Sequence, residues 1–377
     1  MNEKLIIGID CFNISEGGGF THLNYVLKEL NKIIGSDIQI VLWGSENLIL
    51  RLPNYDWLKK RSNFYLQSNI FLRIFWHLFV LNKEIQKYDV DVLLCPGGIC
   101  FPKKIPTIVM FRNVLPFLDK EIKRYSFFKY LRFKLFRFLS FYSFKKSDGI
   151  IFLSNWSKKF IQNKCDLNNL IKIIPHGVKK QNYKKNKKNK KSDLKLIYVS
   201  HTSPYKNHSY VLKNLKKVAL EEKKLNLNFH SIGEICDGFN KKKWEKNLPL
   251  NLKVKFLGKM NHNKTFMHIK NSDICIFASS AENFPNVLLE YMSVGSVCIC
   301  NEIEPMKSIL GNSGVFFDVR KQNDLKIKLK LLLKNPHLQE RLKMLSYKQS
   351  QKYTWGKAAK LTLKFCIEVA SKSFKNA

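Results

Sequence analysis

Two carboxylates, Glu282 and Glu290, stand with seven residues between them inside DICIFASSAENFPNVLLEYMSVGSVCICN, residues 273–301. Carboxylates accept hydrogen bonds from hydroxyl groups, and they discriminate sharply because a buried polar group left unpaired is costly. Two of them could therefore flank one hydroxyl-rich ligand. Asp273 to Ala278 is an apolar run of strand length, ended by the polar cluster Ser279, Ser280, Ala281, Glu282 and Asn283. Pro285 suits the first position of a helix and pushes Phe284 out of helical geometry, so a helix is expected from about Pro285 to Val294, stopping at Gly295. Glu282 then lies on the loop at the carboxyl end of a strand, and Glu290 sits about a turn and a half into the next helix. In open α/β sheets ligands bind outside the carboxyl ends of strands, where helix N-termini offer N–H groups to phosphate.

A chain of 377 residues holds two domains by default, since single cores rarely grow past roughly 250 to 300 residues. Lys and Arg total 66 against 29 acidic residues, a net +37 that favours anionic partners: nucleotide sugars, nucleic acid or an acidic membrane face. The nine cysteines include no C-x-x-C and several fall in apolar strand-like runs, which implies reduced core thiols and a reducing cytoplasm. MNEKLIIGID reads as a first strand rather than a signal peptide. The longest apolar region, Ile70 to Leu81, is interrupted by Arg73 and His77, so no transmembrane helix is expected.

Strand-like runs at 4–11, 38–43, 90–95, 107–111, 149–154 and 171–177 alternate with helical periodicity, which implies a mostly parallel, doubly wound sheet. The first is followed by Glu16, Gly17, Gly18 and Gly19 and then by helical spacing over Phe20 to Leu30. This reads as strand, glycine loop, helix, with the glycines either admitting a ligand to the backbone or making a plain tight turn. Residues 123–146 mix Lys and Arg with dense aromatics; with residues 70–88 they make a membrane-facing surface or an ordinary packed helix pair. Residues 179–193, KKQNYKKNKKNKKSD, have the composition of a cationic linker. A second set of runs follows at 194–200, 227–232, 253–257, 273–278 and 296–301, then GVFFD, helical periodicity over 323–348 and a last helix over 356–372. The expected domains are 1–178, linker 179–193, 194–355, and a C-terminal helix 356–377 that returns to the first domain.

The segment SSAENFPNVLLEYMSVGSVCICNEIEP, with its preceding strand, following helix and Gly295 stop, resembles the E-x7-E region of retaining glycosyltransferases of family 4. The likeness is clearest over roughly 195–355. It implies the GT-B fold, two Rossmann-like domains facing a cleft, with the first Glu on the transferred sugar and the second on the nucleotide ribose. It also implies that Lys206, in SPYKNH, binds the donor diphosphate together with Asn207, and that backbone N–H groups near Asn286 and Val287 stabilise the departing diphosphate. Ser200 replaces the family's usual glycine, and His201 stands near the position where many members place Arg. Gly18 and Gly19 would lie on the N-domain loop facing the donor. After strand 107–111 many members carry a His-Asp pair; this chain has Arg112 and Asn113, and Arg112 is the candidate to meet a phosphate or the sugar ring.

The expectation is a family 4-like, metal-independent hexosyl- or related transferase that moves sugar from a nucleotide-sugar donor to a lipid-linked glycan in surface polysaccharide synthesis. It would need no cofactor and would sit on the cytoplasmic face of an anionic membrane. A nucleotide-sugar epimerase and a noncatalytic nucleotide-binding protein share the architecture. A nucleic-acid role is suggested by charge alone, with no recognisable module and no specific nucleic acid expected.

Overall fold

The protein's computed structural model describes residues 4–376 apart from 15, 102, 182–192 and 237, with side chains described through Lys372. Most of the expected linker, residues 182–192, therefore lies outside the described residues. The chain forms two compact units: residues 1–117, 128–177 and 354–377, and residues 118–127 with 178–353. Residues 118–127, placed with the first domain on sequence, cluster with the second.

The first unit carries a seven-stranded sheet of β1 (Leu5–Asp10), β2 (Ile38–Trp43), β3 (Leu58–Arg61), β4 (Val92–Cys95), β5 (Thr107–Phe111), β6 (Gly149–Phe152) and β7 (Leu170–Ile173). Its order is β3-β2-β1-β4-β5-β6-β7, with every pairing parallel. The second unit carries β8 (Asp193–Val199), β9 (Asn226–Ile232), β10 (Leu252–Phe256), β11 (Ile274–Phe277), β12 (Val297–Asn301) and β13 (Gly314–Phe317). Their order is β10-β9-β8-β11-β12-β13, again parallel throughout. Each order reverses once, beside β1 and beside β8, which makes those strand ends the natural ligand positions.

The central strands are continuous apolar runs because helices cover both faces of a parallel sheet. Trp43, Phe111 and Phe152 fill the first core, and Tyr198, Phe229, Phe277 and Tyr291 the second. An aspartate leads into three of these strands and ties each to its neighbour. Asp91, Asp148 and Asp273 accept the backbone N–H of Ile6, Thr107 and Lys195 at 2.7, 2.8 and 2.8 Å. β3 was not expected: LKKR carries no apolar alternation, and as an edge strand its lysines discourage further pairing. Helical periodicity over 323–348 resolves into two helices, Asp324–Lys334 and Pro336–Ser350, because Pro336 opens a new helix after Asn335.

The last helix, Trp355–Asn376, belongs to the first unit and packs on the helix Gly17–Leu30. Trp355 stacks on Tyr25 at 5.3 Å and touches His22 and His176. Gly177 admits the chain at Trp355: a Cβ there would lie 2.1 Å from the Trp355 nitrogen. Among the described residues no helix is long and apolar enough to cross a membrane.

Candidate active site

In the second unit the loop after β8 is held from three sides. Tyr198 Oη donates to the Lys206 carbonyl at 2.8 Å, and the Ser280 N–H and hydroxyl donate to the Tyr205 carbonyl at 2.8 and 3.0 Å. Asn207 takes a left-handed conformation (φ 54°), which Asn tolerates, and its amide donates to the Ala278 carbonyl at 2.8 Å. Arg124, from the short segment that joins this unit, donates to Asn207 Oδ1 at 3.0 Å and to the Pro204 carbonyl. These bonds fix the backbone that carries Lys206. Its Nζ donates to Glu282 Oε1 at 2.5 Å, with side chains only 10% and 14% exposed. Burial works against the Lys206 charge, but the Glu282 carboxylate outweighs it and holds Lys206 above its ordinary value. The carboxyl ends of β8 and β11 thus present one cation and one carboxylate in contact, although residues 206 and 282 are far apart in sequence.

Glu290 lies on the helix Asn286–Ser293, which Pro285 caps and Val294 ends, with Gly295 at φ 69°. Asn286 and Val287 form its first turn, whose amides precede any carbonyl inside the helix. Glu290 Oε1 meets His262 Nε2 at 3.0 Å. That hydrogen bond raises the His262 pKa above its ordinary 6.5, with burial opposing. The raised value means that the pair's contribution to stability is fully present below about pH 6.5 and fades as pH climbs through the folded-state value. An NMR titration should place the His262 midpoint above 6.5 and return it toward 6.5 in Glu290→Gln. A midpoint that ignores this substitution would contradict the pairing.

The neighbouring strand ends close the arrangement. Gly233, at φ 146°, donates its N–H to the Gly258 carbonyl at 2.9 Å, and Thr202 N–H donates to the Glu234 carbonyl at 3.0 Å. A Cβ on Gly233 would meet the Ser200 carbonyl at 2.3 Å, so β8 and β9 approach here through glycine. His201 is pushed down to about 4 by burial and by Lys206, so it is neutral at pH 7 and Lys206 is the cation in contact with Glu282. Sequence reasoning missed His262, Tyr198 and Arg124. Only His262 left a signal, as a histidine in the NHNK segment after Gly258 and Lys259, where Asn261 caps the helix His262–Lys270.

The first unit holds the remaining candidates. Gly17, Gly18 and Gly19 are not a free loop: they form the first turn of the helix Gly17–Leu30, entered through Glu16 and a left-handed Gly17 at φ 64°. A glycine at a helix start supplies that φ, where the sequence reads as a glycine loop. Arg112 packs against this turn, and a Cβ on Gly19 would lie 2.9 Å from its Nη1. Burial lowers the Arg112 pKa to about 10, which leaves it charged at pH 7, and its Nε has no hydrogen-bond partner among the described residues. Asn113 Oδ1 accepts the Leu115 N–H at 3.1 Å, an ordinary turn contact. A second buried pair went unforeseen: Asp10, at the end of β1, accepts from His77 Nδ1, and Phe101 N–H donates to His77 Nε2 at 3.0 Å. His77 sits on a π-helical turn, Trp76–Val80.

Two parallel-sheet α/β units with a charged site at the carboxyl strand ends define a GT-B-type glycosyltransferase fold, and solved structures share it over nearly the whole chain. WaaG, a glycosyltransferase involved in lipopolysaccharide biosynthesis, is 12% identical at a TM-score of 0.70, covering 96% of this chain and 99% of its own. Anabaena Alr3699/HepE, solved with UDP-glucose, is 14% identical at 0.68, covering 99% and 100%. An uncharacterized glycosyltransferase of Haemophilus influenzae is 23% identical over 347 residues, 88% of this chain and 91% of its own. Residues 16–182 match the family described as Glycosyltransferase Family 4, and residues 179–349 match Glycosyl transferases group 1. The chain belongs to these group 1/family 4 glycosyltransferases.

Proposed function

We propose that the protein transfers a sugar, with retention of configuration, from a nucleotide-sugar donor to a lipid-linked glycan during surface polysaccharide synthesis. The observation that carries this reading is the Lys206–Glu282 contact at the carboxyl ends of β8 and β11. Lys206 neutralises the donor diphosphate, with Asn207 holding its loop. Glu282 accepts from hydroxyls of the transferred sugar, and Glu290 from those of the ribose. The first-turn amides of Asn286 and Val287 meet charge developing on the departing diphosphate, a preorganised arrangement of dipoles. Glu282 Oε1 is engaged by Lys206 and Glu290 Oε1 by His262, so donor hydroxyls compete for or share these oxygens. Arg112 is the candidate to meet a phosphate or the sugar ring, with Gly19 leaving its guanidinium room. The reaction is read as metal-independent, with leaving-group phosphate taking the acceptor proton and no protein nucleophile. UDP-glucose bound to the HepE structure supports a nucleotide-sugar donor, and WaaG's part in lipopolysaccharide biosynthesis supports the polysaccharide setting.

A donor panel scored by binding and hydrolysis, with Glu282→Ala and Glu290→Ala, tests the assignment. Both variants fold, and each loses at least about tenfold in turnover or donor affinity, the size expected for a lost hydrogen bond to a ligand. Unchanged kinetics would remove these residues from the site.

The membrane assignment rests on the helix Phe127–Lys146. Phe128, Leu131, Leu135, Phe138 and Tyr142 are exposed at spacings of three and four along one stripe, with exposed Lys129, Arg132, Lys145 and Lys146 beside it. Such a helix lies in a bilayer interface, its cations meeting anionic headgroups. The protein is expected to float with vesicles containing anionic lipid and to lose this on Phe128→Ser with Phe138→Ser. Failure to float with either lipid composition would discard the assignment.

A further inference from the structure

Within the first unit, a cavity of about 540 Å³ lies over the carboxyl ends of β1, β2 and β3, away from Arg112 in sequence and used by none of the roles above. Glu16 reaches it from the segment after β1, Glu46 and Asn47 from the segment after β2, and Gln67 and Arg73 from the segment after β3; Arg51 completes the wall. Its volume falls in the range of small-molecule sites, and every residue that lines it is polar or charged. An apolar ligand finds no matching side chain there. Hydroxyl groups do, in the carboxylates and side-chain amides.

Both guanidiniums are fixed before any ligand arrives. Arg51 Cζ sits over the Phe20 ring, 4.0 Å from its centroid, and Arg73 Nε donates to the Ser68 carbonyl at 2.9 Å. Among the described residues neither forms an ion pair with a carboxylate, although Glu16 and Glu46 share the cavity. A planar guanidinium with free N–H groups suits a carboxylate or phosphate oxygen pair. Two of them, with acceptors for hydroxyls alongside, match a sugar that carries an acid group.

We propose that this cavity seats an acidic sugar of the acceptor glycan, with Arg51 and Arg73 on its carboxylate or phosphate and Glu46, Asn47 and Gln67 on its hydroxyls. The inference rests on the glycosyl-transfer reading and adds the acceptor's chemical class. Calorimetry on the full chain would use a glucuronic acid-containing disaccharide, its neutral glucose counterpart, a hexose 1-phosphate and, separately, UDP. At least one acidic probe should bind about tenfold more tightly than the neutral disaccharide. Arg51→Gln and Arg73→Gln should each remove that preference, with UDP binding and thermal melting unchanged. Arg51→Lys keeps the charge but not the fork, and should restore only part of it. Whether the uronate or the phosphate binds better tells which acid group the acceptor carries, and either supports the site. Equal affinity for acidic and neutral probes, indifference to both Arg variants, or no binding of any sugar probe would overturn it. Intact UDP binding beside such a failure sinks this inference alone. Loss of UDP binding by the wild-type chain instead strikes the donor reading.

Discussion

Lys206→Met is expected to weaken nucleotide binding by about 10- to 100-fold, because a hydrogen bond to a charged group contributes roughly 1.5–3 kcal/mol. The same substitution should destabilise the second unit. Glu282, 14% exposed, loses the cation that compensates it, and breaking a buried pair at one end costs about 3–5 kcal/mol, less here because both side chains keep some contact with water. These two effects can be separated. In Lys206→Met combined with Glu282→Gln the stranded carboxylate is gone, so urea unfolding should recover much of the stability while nucleotide affinity stays low. If affinity returned together with stability, Lys206 would be a structural residue and the diphosphate would lie elsewhere.

His77→Ala should lower the stability of the first unit by about 3–5 kcal/mol, since it leaves Asp10 buried without its partner. Both side chains are fully enclosed, and the His77 ring also receives the Phe101 N–H, so one substitution unties the end of β1, the π-helical turn and the segment at Phe101. Asp10→Asn with His77 intact should cost less, because an amide still offers an oxygen to Nδ1. Urea unfolding followed by Trp fluorescence gives the loss, and an unchanged His262 titration under folding conditions checks that the second unit is untouched. A loss below about 1 kcal/mol, the size of a surface pair, would show that the contact carries little of the fold.

What could be read without coordinates was local. The strand before Glu282, the proline that opens the next helix and the glycine that stops it are signals within a few residues, and the helix Asn286–Ser293 falls inside the expected span. The alternation of strands and helices likewise carried the parallel-sheet class. What escaped depends on partners distant in sequence. Asp10 looks like any acid after a strand until His77 comes beneath it, and Arg124 looks like surface charge until residues 118–127 join the second unit. The Gly17–Gly19 run misled because three glycines favour a loop by propensity, whereas packing of His22, Leu23 and Val26 extends the helix back through them. β3 escaped because an edge strand is defined by its neighbour and not by a hydrophobic pattern of its own.

The helix Trp355–Asn376 closes the first unit, and this bears on how the protein is made. Multidomain chains commonly complete their N-terminal part first as they leave the ribosome. Here Tyr25, His22 and His176 wait for Trp355, so the earliest-synthesised half is the last to finish its core. A nascent chain arrested after Tyr353 would therefore display the uncovered face of the Gly17–Leu30 helix to chaperones, while residues 178–353 would already have all of their own strands.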